Sequence, residues 1–119
     1  MDISTLNGKT FSKITVDYDT IIFENKNEAY KLYHPQDCCE IVEIEDIDGD
    51  IQRLVGQEII DASERYEEGD DDEDGGTWSF YVIRTNLDSV TIRFYGSSNG
   101  WYSEVAELDS CSPWNNEDY

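Results

Sequence analysis

Positive charge is scarce in this chain. Eight lysines and arginines stand against 28 aspartates and glutamates, a formal net charge of −20. The eight are Lys9, Lys13, Lys26, Lys31, Arg53, Arg65, Arg84 and Arg93, with no basic cluster among them. Nucleic-acid binding needs cations to neutralise phosphates, so no direct nucleic-acid contact is expected, and no anionic membrane surface for the same reason. Long apolar runs are missing too. No stretch reaches the length of about 18 apolar residues that a spanning helix needs, and the N-terminus has no basic segment leading into an apolar one. The cysteines are three, Cys38, Cys39 and Cys111. An odd count with two adjacent argues against a disulfide framework, and the expected compartment is the reducing cytoplasm. Phosphate-binding and dinucleotide glycine loops, nucleophile elbows and HExxH zinc helices are all absent. Neither an enzyme nor a cofactor is expected.

What the chain has is acid and aromatics. Its 119 residues fit a single domain over 1–119, and a 13% aromatic content supplies material for a core. The run from Glu64 to Gly76 holds eight carboxylates and one arginine. Nothing apolar follows Tyr66 within it, so residues 67–76 read as a solvated acidic loop. Directly behind it comes the most apolar segment, Trp78-Ser79-Phe80-Tyr81-Val82-Ile83.

Alternation dominates the rest of the sequence. A lead-in ends at the turn Asn7-Gly8. Phe11 to Tyr18 reads as a strand with Ile14, Val16 and Tyr18 on one face. Thr20 to Glu24 and Glu28 to Tyr33 form the next two, joined by a turn at Asn25-Lys26-Asn27 and ended by Pro35. Asp37 to Ile47 reads as a long strand whose imperfect alternation suggests a bulge. Ile51, Leu54 and Val55 have helical spacing between a capping aspartate, Asp48 or Asp50, and Gly56. Glu58 to Tyr66 is extended. Thr77 to Thr85 is expected to bury Trp78, Phe80 and Val82, and Ser89 to Tyr95 to bury Val90, Ile92 and Phe94. Trp101 to Leu108 is expected to pair back and complete a meander, with 109–119 an irregular arm. The expected fold is mainly β: an antiparallel curled sheet or small sandwich with one short helix.

Metal and nucleophile chemistry finds little support. His34, Cys38, Cys39 and Cys111 are the residue types zinc takes, but adjacent cysteines on a strand face opposite ways and no CxxC pair exists. A surface histidine beside partly buried thiols is the simpler reading. His34 and Cys38 lie about 13 Å apart along an extended chain, too far for a nucleophile pair. Asp46-Ile47-Asp48-Gly49-Asp50 hints at a calcium loop, but the required sixth glycine and twelfth glutamate are missing. No metal site is expected.

The runs Tyr33-His34-Pro35-Gln36-Asp37-Cys38-Cys39-Glu40, Ile44-Glu45-Asp46-Ile47-Asp48-Gly49-Asp50, Thr77-Trp78-Ser79-Phe80-Tyr81 and Arg93-Phe94-Tyr95-Gly96-Ser97-Ser98-Asn99-Gly100-Trp101-Tyr102-Ser103 resemble a small uncharacterised acidic domain of phages and prophages, over roughly residues 30–108. The resemblance carries no activity. It implies a setting, a phage accessory protein in the cytoplasm of a bacterial host cell.

Within that setting the acid distribution points to a protein partner. Residues 37–50 and 64–74 together hold fifteen acids and one arginine. Same-face carboxylates on a strand repeat at about 6.6 Å, within a factor of two of the ~3.4 Å phosphate rise of one DNA strand. The expectation is a non-enzymatic inhibitor that mimics nucleic acid and occludes the basic groove of a defence nuclease, a CRISPR effector or a restriction enzyme. Glu43, Glu45, Asp46, Asp48 and Asp50, with Glu67, Glu68, Asp70, Asp71, Asp72, Glu73 and Asp74, would stand for phosphates. Tyr95, Trp101 and Tyr102 would anchor the interface, unless they close the core instead. The competing roles are solubility alone, a sponge for a nucleotide immune signal built around Arg84 and Arg93, and a virion structural or assembly protein.

Overall fold

The computed structural model of the chain describes residues 1–35, 40–68, 76–97 and 105–111. Among the described residues, eight strands form two four-stranded antiparallel sheets. The first contains β1 (Lys13–Val16), β2 (Ile21–Glu24), β3 (Ala29–Tyr33) and β8 (Glu107–Cys111), in the order β1-β2-β3-β8. The second contains β4 (Ile41–Asp48), β5 (Asp61–Glu68), β6 (Thr77–Arg84) and β7 (Ser89–Ser97), in the order β4-β7-β6-β5. The fold is mainly β as expected, and of the two expected forms, a curled sheet or a small sandwich, the two sheets make the sandwich.

Turn chemistry sets the hairpins. Asn25 Oδ1 accepts from the N–H groups of Asn27 and Glu28, closing β2 onto β3. Thr85 Oγ1 accepts from the N–H groups of Leu87 and Asp88, closing β6 onto β7. That turn sets the register Arg84↔Ser89, from which Ile83↔Val90, Tyr81↔Ile92 and Ser79↔Phe94 follow. The helical spacing after β4 is a single 3-10 turn, Ile51–Leu54, whose Asp50 cap accepts from Gln52 N–H. Gly56 leaves it at φ +84°, a region open to glycine. A second 3-10 turn, Ile3–Leu6, stands in the lead-in and buries both its ends. Its exit at Asn7-Gly8 ties back through Gly8 N–H to the Ile59 carbonyl.

One core joins the sheets. Ile14, Ile21, Phe23, Leu32 and Leu108 meet Val42, Ile83, Val90, Ile92 and Phe94, with Phe11, Leu54 and Ile59 contributed from between strands. Tyr81 packs edge-on to Phe94 at 5.9 Å and donates its hydroxyl to the Ala106 carbonyl, linking the two layers.

Five expectations need correction. The buried face of β6 is Ser79, Tyr81 and Ile83; Trp78, Phe80 and Val82 lie half-buried on the outer face. Both faces of β6 carry bulky apolar residues, so its own pattern is ambiguous. Its register with β7, where only Val90, Ile92 and Phe94 suit the core, decides the matter. Val16 and Tyr18 are exposed although they share parity with Ile14: Val16 ends an edge strand and Tyr18 lies past its end. The strand nearest the C-terminus crosses to the other sheet: β8 pairs with β3, Leu32 opposite Leu108, and not with β7. Asp109, Ser110 and Cys111 belong to that strand, so the expected arm cannot begin at 109. Glu67 and Glu68 extend β5 and are not loop. The expected bulge in β4 is present, between Ile44 and Asp46.

Candidate protein-binding surface

The outer face of the second sheet is built from four cross-strand rows. Glu67, Trp78, Tyr95 and Glu43 form one, and Arg65, Phe80, Arg93 and Asp46 the next. The first row sets two aromatics between two carboxylates, and the second sets Phe80 and Arg93 between Arg65 and Asp46. Three strand spacings separate the edges, about 14 Å.

The β4 edge is the more acidic. Glu43, Glu45, Asp46, Asp48 and Asp50 are all exposed. An unbroken strand would turn Glu45 and Asp46 to opposite faces. The bulge leaves both in solvent beside Arg93, whose guanidinium stands 3.4 Å from Glu45 and 3.9 Å from Asp46. Asp50 is committed to its cap. Among the described residues no cation pairs with Glu43 or Asp48.

All three arginines of this face are occupied. Arg93 lies 5.1 Å over the Trp78 ring, and Trp78 packs on Tyr95 at 4.5 Å. Arg65 lies 4.0 Å over Phe80 and pairs with Glu67. Arg84 pairs with Asp61 at 3.1 Å. Arg84 stands four strand residues beyond the position that faces Arg93, about 13 Å away. The two thus form no shared basic pocket of the kind a nucleotide sponge requires.

Where β4 and β7 meet, the bulge opens a concavity of about 150 Å³ lined by Ile41, Glu43, Ile44, Glu45, Tyr95 and Ser97. Ile41 is 59% exposed, unusual for isoleucine on a strand beside a core. The alternation of β4 places Ile41, Glu43 and Glu45 on this face, and the bulge adds Asp46 to it.

Of the residues expected at a partner surface, Glu43, Glu45, Asp46, Asp48 and Tyr95 come together along β4 and β7. Glu67 lies on the opposite edge, and Glu68 ends β5 beside it. Asp70, Asp71, Asp72, Glu73, Asp74, Trp101 and Tyr102 lie outside the described residues, as do Cys38 and Cys39.

His34 is a correction. It is not a surface residue: its side chain is 3% exposed and that of Glu40 is fully buried. Nδ1 lies 2.8 Å from the Val105 carbonyl, which can only accept, so Nδ1 carries a hydrogen. Nε2 lies 2.7 Å from Glu40 Oε2, a contact that holds one proton between ring and carboxylate. Cys111 stands opposite Ala29, at the other end of β3 and about 16 Å from His34. Burial pushes its thiol pKa up. Among the described residues no group of three or more histidines, cysteines or carboxylates is placed to hold a metal, and no helix is long and apolar enough to cross a membrane.

Neither the curated proteins nor the solved structures contain a match to this chain. A family model does match, over residues 4–108, and so reaches well upstream of the segment from 30 that carries the sequence resemblance. The chain belongs to the family described as the domain of unknown function DUF7448.

Proposed function

We propose that this chain is a phage-encoded, non-enzymatic inhibitor that occupies the basic nucleic-acid groove of a bacterial defence nuclease. One observation carries the reading. An edge strand presents Glu43, Glu45, Asp46 and Asp48 to solvent, and Arg93 is the one cation paired with them among the described residues. Side chains on one face of such a strand recur at about 6.6 Å, and the bulge shortens the step between Glu45 and Asp46. The result is a line of fixed negative charge on a rigid support. A basic groove would be attracted to it over roughly the ~8 Å screening length of physiological salt, with fast, salt-sensitive association. The acidic run Asp70–Asp74 adds five carboxylates immediately after β5 in sequence. Inhibition would be occlusion without chemistry, in the cytoplasm of the host.

The test is capture of partners by the tagged chain from bacterial lysate at low and high salt, read by mass spectrometry. The expected result is a nuclease or other nucleic-acid-binding protein retained at low salt and released at high salt. Its capture should fail for the combined variant Glu43→Gln, Asp46→Asn, Asp48→Asn. Capture indifferent to salt and to these substitutions refutes the reading.

A further inference from the structure

The concavity at the β4 bulge has a chemistry of its own. Its apolar side is Ile41 and Ile44, its aromatic side is Tyr95, and its acidic side is Glu43 and Glu45. Glu45 shares Arg93 with Asp46, whereas Glu43 has no cation partner among the described residues. The volume of about 150 Å³ equals roughly five water molecules at ~30 Å³ each, the scale of one long side chain. We infer that this concavity seats a single arginine side chain of the basic partner. The inference rests on the proposed binding to a basic protein surface and names the anchor within it. The aliphatic stem would lie on Ile41 and Ile44, and the guanidinium would reach Glu43 and Glu45 beside the Tyr95 ring. Arginine fits better than lysine. A planar guanidinium pairs with carboxylates through two parallel hydrogen bonds and stacks on an aromatic ring, and it sheds water more readily than an ammonium. The same outer face already uses that arrangement internally, with Arg93 lying over Trp78 and paired to carboxylates.

The experiment is a titration of the full chain with a tri-arginine peptide at 0.15 M salt, followed by amide NMR shifts and calorimetry. A tri-lysine peptide serves for comparison. The largest shifts should fall at Ile41, Glu43, Glu45, Tyr95 and Ser97, and tri-arginine should bind more tightly. Glu43→Gln should weaken binding about tenfold, the weight of one charge-assisted hydrogen bond. Glu107→Gln removes the same charge from the other sheet and should change affinity by less than about twofold. Equal loss in both variants, or equal affinity for both peptides, overturns the arginine seat while leaving a general basic partner in place. No binding of either peptide, even at low salt, overturns the seat and the basic-partner reading together.

Discussion

Removing His34 tests the buried His34–Glu40 contact inside one end of the sandwich. Glu40 is fully buried and His34 nearly so, with 2.7 Å between Nε2 and Oε2. Truncation to alanine leaves a carboxylate inside the protein without its imidazole. Breaking a buried pair from one side destabilises by about 3–5 kcal/mol, because the remaining charge keeps its desolvation penalty. For a domain of this size that is a fall in Tm of roughly 10–20 °C. Glu40→Gln behaves differently. The amide can donate to Nε2 while Nδ1 continues to donate to the Val105 carbonyl, and no charge is buried, so the loss should stay below about 1.5 kcal/mol.

Truncation also opens a cavity, which by itself destabilises. A double-mutant cycle separates the two contributions. His34→Ala, Glu40→Ala and the double variant are unfolded in urea, and the coupling energy is taken from the midpoints and slopes. A coupling of about 2–3 kcal/mol is expected for contacting buried charges, against about 0.5 kcal/mol or less for independent sites. Additivity within that lower limit would refute the pair as an energetic unit, whatever the individual losses.

Three further outcomes follow from the same structure. Ser79 is fully buried and its hydroxyl has no hydrogen-bond partner among the described residues. Ser79→Ala should therefore leave stability unchanged or raise it by up to about 1 kcal/mol, and a loss beyond about 1 kcal/mol in urea unfolding would reveal a hidden partner. Asp88 accepts from Gln57 Nε2 at 2.7 Å and from Arg53 Nε at 2.9 Å, and these hydrogen bonds, Gln57 first, hold its pKa below the usual carboxylate value. A depressed acid stabilises above its unfolded-state pKa, and that stability disappears as pH falls through the folded one. Asp88→Asn should thus lower Tm at pH 7, with the gap to wild type closing towards pH 3; a constant gap would contradict it. Finally, a net charge of −20 on a small fold should make Tm rise as salt increases from about 0.01 M to 0.15 M, where the screening length shrinks from ~30 to ~8 Å. A salt-independent Tm would mean that self-repulsion is already balanced locally.

Much of the architecture was legible because local chemistry and burial agree. β7 alternates without conflict, the asparagine and threonine turns place their neighbours, and Asp50 with Gly56 brackets one helical turn. The misreadings of β6, β8 and His34 share one physical origin: each depends on a partner outside the segment itself. Trp78, Phe80 and Val82 looked like the inner face because they are bulky, yet both faces of β6 are bulky and only pairing with β7 decides between them. The turn at Asn86-Leu87-Asp88 could have supplied that register, since counting back from it places Ile83 opposite Val90 and hence inside. The pairing of β8 with β3 has no local signal at all: β7 is already flanked by β6 and β4, while β3 has a side open. The candidate site divides the same way. The exposed acids of β4 follow from its alternation, and the concavity follows from its bulge. The burial of His34 was hidden because its partner, Glu40, lies beyond Pro35 and across the start of another strand.

Both edges of the second sheet carry acids, and two physical roles compete to explain them. Edge strands need charge to resist pairing with other chains, and that role is served by either sign and by few residues. On the outer face of β5, Asp61 pairs with Arg84 and Glu67 with Arg65, so the charge of that face is balanced within the sheet. On β4 the balance is different: Glu43 and Asp48 have no cation among the described residues, and Glu45 and Asp46 share one. The backbone of both edges is partly covered, since Ile44 N–H on β4 donates to the Tyr18 carbonyl and Ala62 N–H on β5 donates to Asn7 Oδ1. The two edges thus need similar protection, yet the outer face of β4 carries more unbalanced acid than that of β5. Protection alone accounts for β5 and leaves the excess on β4 unexplained. A basic partner seated along that edge accounts for both the excess and its placement beside the bulge.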